Sequence, residues 1–185
     1  MSNEPYTAPS VILPNEIGQI IDLKNFRPNP IVLFFYPRDN TSGCSREAKD
    51  FTENLNLFDG AKVNVFGVSK DSIESHEKFI KKQNLAITLL SDKNGTVCED
   101  FGVWKEKSMY GKTYMGIERS TFIINGKGLV VKEWRKVKVA GHVDEVLQEI
   151  EKIITENTIW VLDFKFTKWV LPFVFISSWR DGINF

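Results

Sequence analysis

The fold of this chain is decided by the stretch IVLFFYPRDNTSGCSREAKDF, residues 31–51. It begins with six apolar residues, 31–36, rich in β-branched and aromatic side chains, which is typical of a strand buried on both faces. A polar loop follows, and then Ala48, Phe51, Leu55 and Phe58 recur at the spacing of one helix face. The stretch therefore predicts a buried strand, a loop and a helix that begins near Cys44.

The same alternation of strand and helix signals continues along the chain. We predict strands at 63–68, 86–90, 120–124 and 129–131, with a hairpin turn over 125–128 between the last two. Apolar residues at helical spacing predict helices around Ile73–Ile80, Val97–Phe101 and Val143–Ile154. This order predicts an α/β, thioredoxin-like fold, a mixed β-sheet flanked by helices.

Composition excludes several classes of protein. The chain has 185 residues with 24 basic and 24 acidic side chains, and this zero net charge argues against a nucleic-acid partner. Two cysteines are too few for a disulfide-rich scaffold or a four-thiolate metal site. Residues 1–5 do not begin a secretory signal, so we expect a cytoplasmic protein whose cysteines are reduced.

The last 31 residues differ from the rest of the chain. Residues 155–185 hold eight of the 23 aromatic side chains. We therefore expect a domain at 1–154 and an aromatic-rich extension at 155–185 of unknown role. Its apolar run, 169–176, is too short to span a bilayer. It could pack on the domain, mediate a dimer contact, touch a membrane surface, which we do not expect, or be a poorly ordered extension.

Cys44 is the candidate nucleophile. It stands in the predicted first turn of a helix, where free N–H groups and the helix dipole favour an anion such as a thiolate. Gly43 lets the backbone approach a small ligand, Thr41 offers a hydroxyl, and Pro37 fixes the loop's entry and shields one side from water. The residues alone leave open the alternative of a buried structural cysteine.

Several motifs in order resemble the peroxiredoxin Q, or bacterioferritin comigratory protein, subfamily of peroxiredoxins. The resemblance covers about residues 6–154. Its motifs are Pro37-x-x-x-Thr41-x-x-Cys44, Leu89-Leu90-Ser91-Asp92, the segment 97–104, and Tyr110-Gly111-Lys112-Thr113-Tyr114-x-Gly116-Ile117-x-Arg119-x-Thr121-Phe122.

The resemblance implies a thioredoxin fold and a thiol-dependent peroxidase that reduces hydrogen peroxide and organic hydroperoxides. Cys44 would be the peroxidatic cysteine, whose thiolate becomes a sulfenic acid. Arg119 matches the family's active-site arginine, and Pro37 and Thr41 match its loop. Thr41 and the amides of Gly43 and Cys44 would position the peroxide. We expect no cofactor and no bound metal.

The chain departs from the family at the resolving cysteine, which many members carry five residues after the peroxidatic one. Lys49 stands there, and residues 72–84, the other recorded site, contain no cysteine. We therefore expect a one-Cys enzyme that is recycled by an external thiol such as thioredoxin, glutaredoxin or glutathione. In the alternative, Cys98 is the resolving residue and pairs with Cys44 after local unfolding.

Two other functions compete with the peroxidase. One is a disulfide or glutathione oxidoreductase on the same fold, which the absence of a Cys-x-x-Cys pair at Cys44 weakens. The other is a redox-regulated binding or chaperone module that acts through the tail. The sequence fits a monomer or a homodimer. His76 and His142 are predicted on exposed helix faces and are given no role.

Overall fold

The computed structural model describes residues 4–109 and 111–166. The chain divides into two compact units, Met1–Leu147 and Gln148–Phe185. The predicted division at residue 154 stays a prediction. The first unit carries the sheet and every candidate site residue.

A six-stranded sheet with the order β1-β10-β9-β4-β5-β6 forms the centre of the first unit. Strands β4, β5 and β6 are parallel, whereas β9, β10 and β1 run antiparallel to their neighbours. This arrangement confirms the predicted mixed sheet and α/β fold. The strands are β1 (Tyr6–Thr7), β2 (Ile12–Pro14), β3 (Ile20–Asp22), β4 (Ile31–Phe35), β5 (Asn64–Ser69), β6 (Thr88–Ser91), β7 (Trp104–Met109), β8 (Lys112–Ile117), β9 (Ser120–Ile124) and β10 (Leu129–Trp134).

The helices follow the predicted alternation closely. They are a 3-10 turn (Leu23–Phe26), α1 (Ser42–Glu53), α2 (Leu55–Gly60), α3 (Ile73–Gln83), α4 (Val97–Asp100) and α5 (His142–Phe166). The predicted first helix is divided, because Asn54 leaves helical geometry between α1 and α2. Helix α5 continues past the predicted end at residue 154.

Part of the tail prediction falls outside the structure. Residues 167–185 lie outside the described residues, so the proposed roles of the extension stay predictions. Within the part of the chain that the structure describes, no helix is both long and apolar enough to cross a membrane.

Strand β4 organises the core on both faces of the sheet, because all five of its residues are buried. Phe34 and Phe35 point to opposite faces, as neighbours in a strand do. On one face Phe34 stacks on Phe51 of α1 with ring centroids 4.5 Å apart. On the other face Phe35 contacts Phe101 and Phe122 at 5.1 and 5.6 Å. The Phe34–Phe51 stack fixes α1, and with it Cys44, against the centre of the sheet.

Two hairpins were not predicted from the sequence. The β2–β3 pair has only three residues in each strand, too few to show an apolar alternation. In the β7–β8 hairpin, residues 112–115 are all exposed, so one buried face does not mark the strand. The predicted strand at 86–90 is displaced to Thr88–Ser91, because β6 pairs with β5 from Thr88 onward.

Gly67 in β5 gives a test of this packing. A Cβ there would lie 2.6 Å from Phe34 Cζ and 2.8 Å from Leu89 Cδ2, so we expect Gly67→Ala to lower the free energy of unfolding by about 1–3 kcal/mol through overpacking. Gly60→Ala is the control, since nothing lies within 4 Å of its Cβ and alanine favours a helix by up to about 1 kcal/mol. Urea denaturation measures both, and equal effects of the two substitutions would contradict this packing.

Candidate active site

Cys44 lies in the first turn of α1, as predicted. Thr41 is the N-cap, and its carbonyl accepts the first helical hydrogen bond from Ser45 N at 2.8 Å. The first N–H groups of a helix have no partner within it, so the Cys44 side chain stands beside the positive end of the helix dipole. Cys44 forms no disulfide, and the residue is only 1% exposed. The sulfur is therefore held at a helix start and shielded from bulk water.

Arg119 reaches this sulfur from the connection between β8 and β9. Its Nη2 lies 3.1 Å from Cys44 Sγ, although the two residues are 75 positions apart. The backbone around Arg119 is fixed, because its carbonyl accepts from Val137 N at 3.0 Å. Arg119 also passes close to Gly43, since a Cβ at that residue would lie 3.4 Å from Nη2, an ordinary van der Waals contact. Two of the predicted site residues are thus in direct contact.

Glu47 is the site residue that the sequence reasoning missed. It lies one turn after Cys44, is completely buried, and accepts a hydrogen bond on Oε2 from Arg119 Nη1. Its other oxygen, Oε1, has no hydrogen-bond partner in the described structure. The i, i+3 spacing from Cys44 was the available signal, because it places both side chains on one helix face.

The charges of Arg119 and its two neighbours, Cys44 and Glu47, influence one another. Burial raises the pKa of Glu47 to about 7, although the nearby Arg119 charge opposes the shift. Burial alone would lower the pKa of Arg119, but the charges of Glu47 and Cys44 raise it overall. The guanidinium is therefore a permanent cation between two acidic groups. Each of its arms has its own partner, Cys44 on Nη2 and Glu47 on Nη1.

The other predicted loop residues, Thr41 and Pro37, lie on the protein surface before α1. Thr41 is exposed, and its hydroxyl donates to Arg38 O at 3.2 Å, which leaves the oxygen available as an acceptor. Pro37 is exposed at the start of the loop. Its predicted shielding role stays a prediction.

Cys98 has the surroundings of a core residue. It is fully buried in α4 within the main hydrophobic cluster, beside Val97 and Phe101. Burial and the neighbouring Asp92 raise the pKa of its thiol, which keeps it protonated. Its backbone N–H donates to Asp92 Oδ2 at 2.8 Å, so that carboxylate caps α4.

The predicted exposure of His76 and His142 is wrong, since both are buried. Imidazole can be buried when its ring nitrogens are hydrogen-bonded, and His142 Nε2 lies 2.7 Å from Thr121 Oγ1. The Trp134 ring contacts the His142 ring edge to face at 5.5 Å. Burial and then the Arg119 charge lower the pKa of His142 to about 4. The ring is therefore neutral near pH 7, and it packs against Thr121 and Trp134.

Among the described residues, no group of three or more histidine, cysteine, aspartate or glutamate side chains could hold a metal ion.

Comparisons with known proteins place the chain among similar sequences and structures. The AhpC/TSA family model matches residues 6–133. Peroxiredoxin Bcp of Bacillus subtilis is 46% identical over 144 residues, which cover 78% of this chain and 92% of the relative. The solved structure of the Xanthomonas campestris bacterioferritin comigratory protein, studied for its alkyl peroxide reduction activity, has a TM-score of 0.73 at 44% identity, covering 77% of this chain and 90% of that one. A mutant of Xylella fastidiosa PrxQ has a TM-score of 0.76 at 36% identity, covering 82% and 98%.

His142 makes the stability of the protein depend on pH. Its pKa is lower in the folded chain, about 4, than the ordinary value of 6.5, so the unfolded chain binds more protons between these values. Through His142, the free energy of unfolding of the wild type should therefore fall by on the order of 3 kcal/mol as the pH falls from 6.5 to 4. His142→Gln cannot take up the proton. Urea denaturation across this pH range should show that the free energy of unfolding falls more steeply with falling pH in the wild type than in the variant. Parallel pH dependences of the two proteins would contradict the account.

Proposed function

This chain belongs to the peroxiredoxin Q, or Bcp, subfamily of the AhpC/TSA family, and on that basis we propose that it reduces hydrogen peroxide and organic hydroperoxides through Cys44. The observation that carries the proposal is the 3.1 Å contact between Arg119 Nη2 and Cys44 Sγ at the start of α1. A cation and a helix N-terminus both stabilise a thiolate, which is the nucleophilic form of cysteine.

The reaction begins when the Cys44 thiolate attacks one oxygen of the peroxide. An S–O bond forms as the O–O bond breaks, so the sulfur is oxidised by two electrons and the peroxide is reduced. The departing oxygen takes up a proton and leaves as water or as an alcohol. Cys44 remains as a sulfenic acid.

Arg119 stabilises charge throughout this step. Its guanidinium holds the negative sulfur before attack and lies close to the departing oxygen on which negative charge develops. Glu47 occupies the other arm of the guanidinium, which fixes the direction in which Nη2 points. Because the cation is already oriented, little reorganisation is needed during the reaction.

The substrate is positioned by the loop before α1. The Thr41 oxygen accepts a hydrogen bond from the peroxide hydroxyl, since its own proton is directed at Arg38 O. The amides of Gly43 and Cys44, at the open end of the helix, donate to the peroxide. Pro37 limits the access of water from the outer side of the loop.

Recycling follows the one-Cys route. An external thiol attacks the sulfenic sulfur and releases water, and a second thiol then breaks the mixed disulfide and restores Cys44. Thioredoxin, glutaredoxin or glutathione supplies these thiols. Two observations support this route: Lys49 stands at the usual resolving position, and Cys98 is buried in the core with a raised pKa.

Two substitutions test the assignment of the cysteines. In a peroxide-consumption assay with thioredoxin or glutathione as donor, Cys44→Ser should fall to the uncatalysed background because it lacks the nucleophile. Cys98→Ala should keep its turnover, since a small apolar side chain fills the same core position.

The contradicting outcomes concern different parts of the proposal. Turnover that survives in Cys44→Ser would remove the proposed peroxidase mechanism. Lost turnover in a folded Cys98→Ala protein, together with a Cys44–Cys98 disulfide in the peroxide-treated wild type by non-reducing mass spectrometry, would replace the one-Cys route with a two-Cys route.

A further inference from the structure

A second polar cluster lies buried beside the loop that leads to Cys44. It consists of Tyr36 at the end of β4, Asp39 in the loop, and Ser75 and His76 on α3. The His76 side chain is fully buried, and that of Asp39 is 2% exposed. Such groups are costly to bury unless each is hydrogen-bonded. The mechanism described above does not use this cluster.

Asp39 is the centre of the cluster. Its Oδ1 accepts from the Tyr36 hydroxyl at 2.8 Å, and its Oδ2 accepts from Ser75 Oγ at 2.7 Å. His76 Nδ1 lies 2.9 Å from the same Oδ2. The backbone N–H of Asp39 donates to Asp71 Oδ2 at 2.8 Å. Burial and the Asp39 charge raise the pKa of Tyr36, so its hydroxyl remains a donor.

His76 connects this carboxyl group to the sheet. Its Nε2 lies 3.3 Å from the carbonyl oxygen of Leu90 in β6, which can only accept, so Nε2 must carry a proton. The contact between Nδ1 and Asp39 needs one proton as well, on either partner. Asp39 and His76 therefore satisfy each other's hydrogen-bonding groups inside the protein, as buried polar side chains require.

Asp39 lies in the loop that leads into the first turn of α1, so the pair it forms with His76 can affect the site. In the loop 37–41, Asp39 is buried and the other four residues are exposed. Asn40 follows it with a left-handed φ of 57°, a conformation unfavourable for most side chains but tolerated by asparagine. Thr41, the next residue, is the N-cap of α1. The anchored residue is thus two positions from the helix cap and the substrate-facing hydroxyl.

We propose that His76 is a positioning residue for peroxide reduction, which ties Asp39, and through it the loop 37–41, to α3 and β6 so that Thr41 is held in place as the N-cap of α1, three residues before Cys44. The inference rests on the proposed function of Cys44. Without His76, Asp39 keeps its bonds to Tyr36 and Ser75 but loses its link to β6. The loop 37–41 is then held less firmly, and Thr41 moves relative to the sulfur. A displacement of about 1 Å at a reacting site can lower the rate by about a hundredfold.

The test measures the rate constant for peroxide with reduced protein, expressed per titrated Cys44 thiol and without a recycling donor. We expect His76→Ala and Asp39→Asn each to lower this constant roughly 10- to 100-fold. The double variant should be no slower than the slower single variant, because each substitution removes the same contact between Asp39 and His76. If His76→Ala does not fold, His76→Gln takes its place. The pH dependence of thiolate absorbance should be unchanged, since Arg119 remains.

Leu85→Ala is the matched control. Leu85 is buried immediately after α3 and lies outside the cluster, so its truncation should lower the unfolding midpoint without changing the rate constant per thiol. A His76 variant with the wild-type rate constant, additive losses in the double variant, or an equal loss in Leu85→Ala would each overturn the inference. A wild-type protein that consumes no peroxide would instead refute the proposed function.

Discussion

The contact of Arg119 with Cys44 on one side and Glu47 on the other is the interaction on which the site depends. A cation that is largely removed from water needs hydrogen-bond partners, and here each arm of the guanidinium contacts one acidic side chain. The pKa of Glu47, raised to about 7, shows that the effect of burial on this carboxyl outweighs that of the Arg119 charge. Because Glu47 and Cys44 lie one turn apart on α1, a single arginine aligns the helix and the sulfur together.

The rest of the fold holds Cys44, Arg119 and Glu47 in place. Strand β4 is buried along its whole length, and the stack of Phe34 on Phe51 fixes α1 against it. The loop between β4 and α1 is held separately, through Asp39 and His76. In the proposed mechanism, Arg119 and Glu47 fix the nucleophile, while Asp39 and His76 fix the substrate-facing loop. Asp39 and Glu47, the loop and helix members of these contacts, lie on opposite sides of the helix cap Thr41 in the sequence.

Local sequence patterns predicted the parts of the structure that local forces determine. The apolar run 31–36 and the helical spacing after Cys44 were sufficient for β4, α1 and the position of the thiol. Arg119 could be assigned through the family resemblance alone, because its partners lie 72 and 75 positions away. The burial of His76 was mispredicted for the same reason, since its partner Asp39 is 37 positions away. Helix periodicity separates apolar from polar residues, and it does not identify a polar residue whose hydrogen bonds are all satisfied inside the protein.

In the proposed mechanism, the two terminal nitrogens of Arg119 orient and stabilise the Cys44 thiolate. The most direct measurement is the rate constant for peroxide with reduced protein in Arg119→Lys, compared with Arg46→Lys. Lysine keeps the charge but cannot engage Cys44 and Glu47 with two fixed arms, so we predict a loss of about 10²–10³ in rate. Arg46 lies on the same helix with its side chain 67% exposed, and its substitution should leave the rate unchanged. An Arg119→Lys protein that reacts as fast as the wild type would contradict the account.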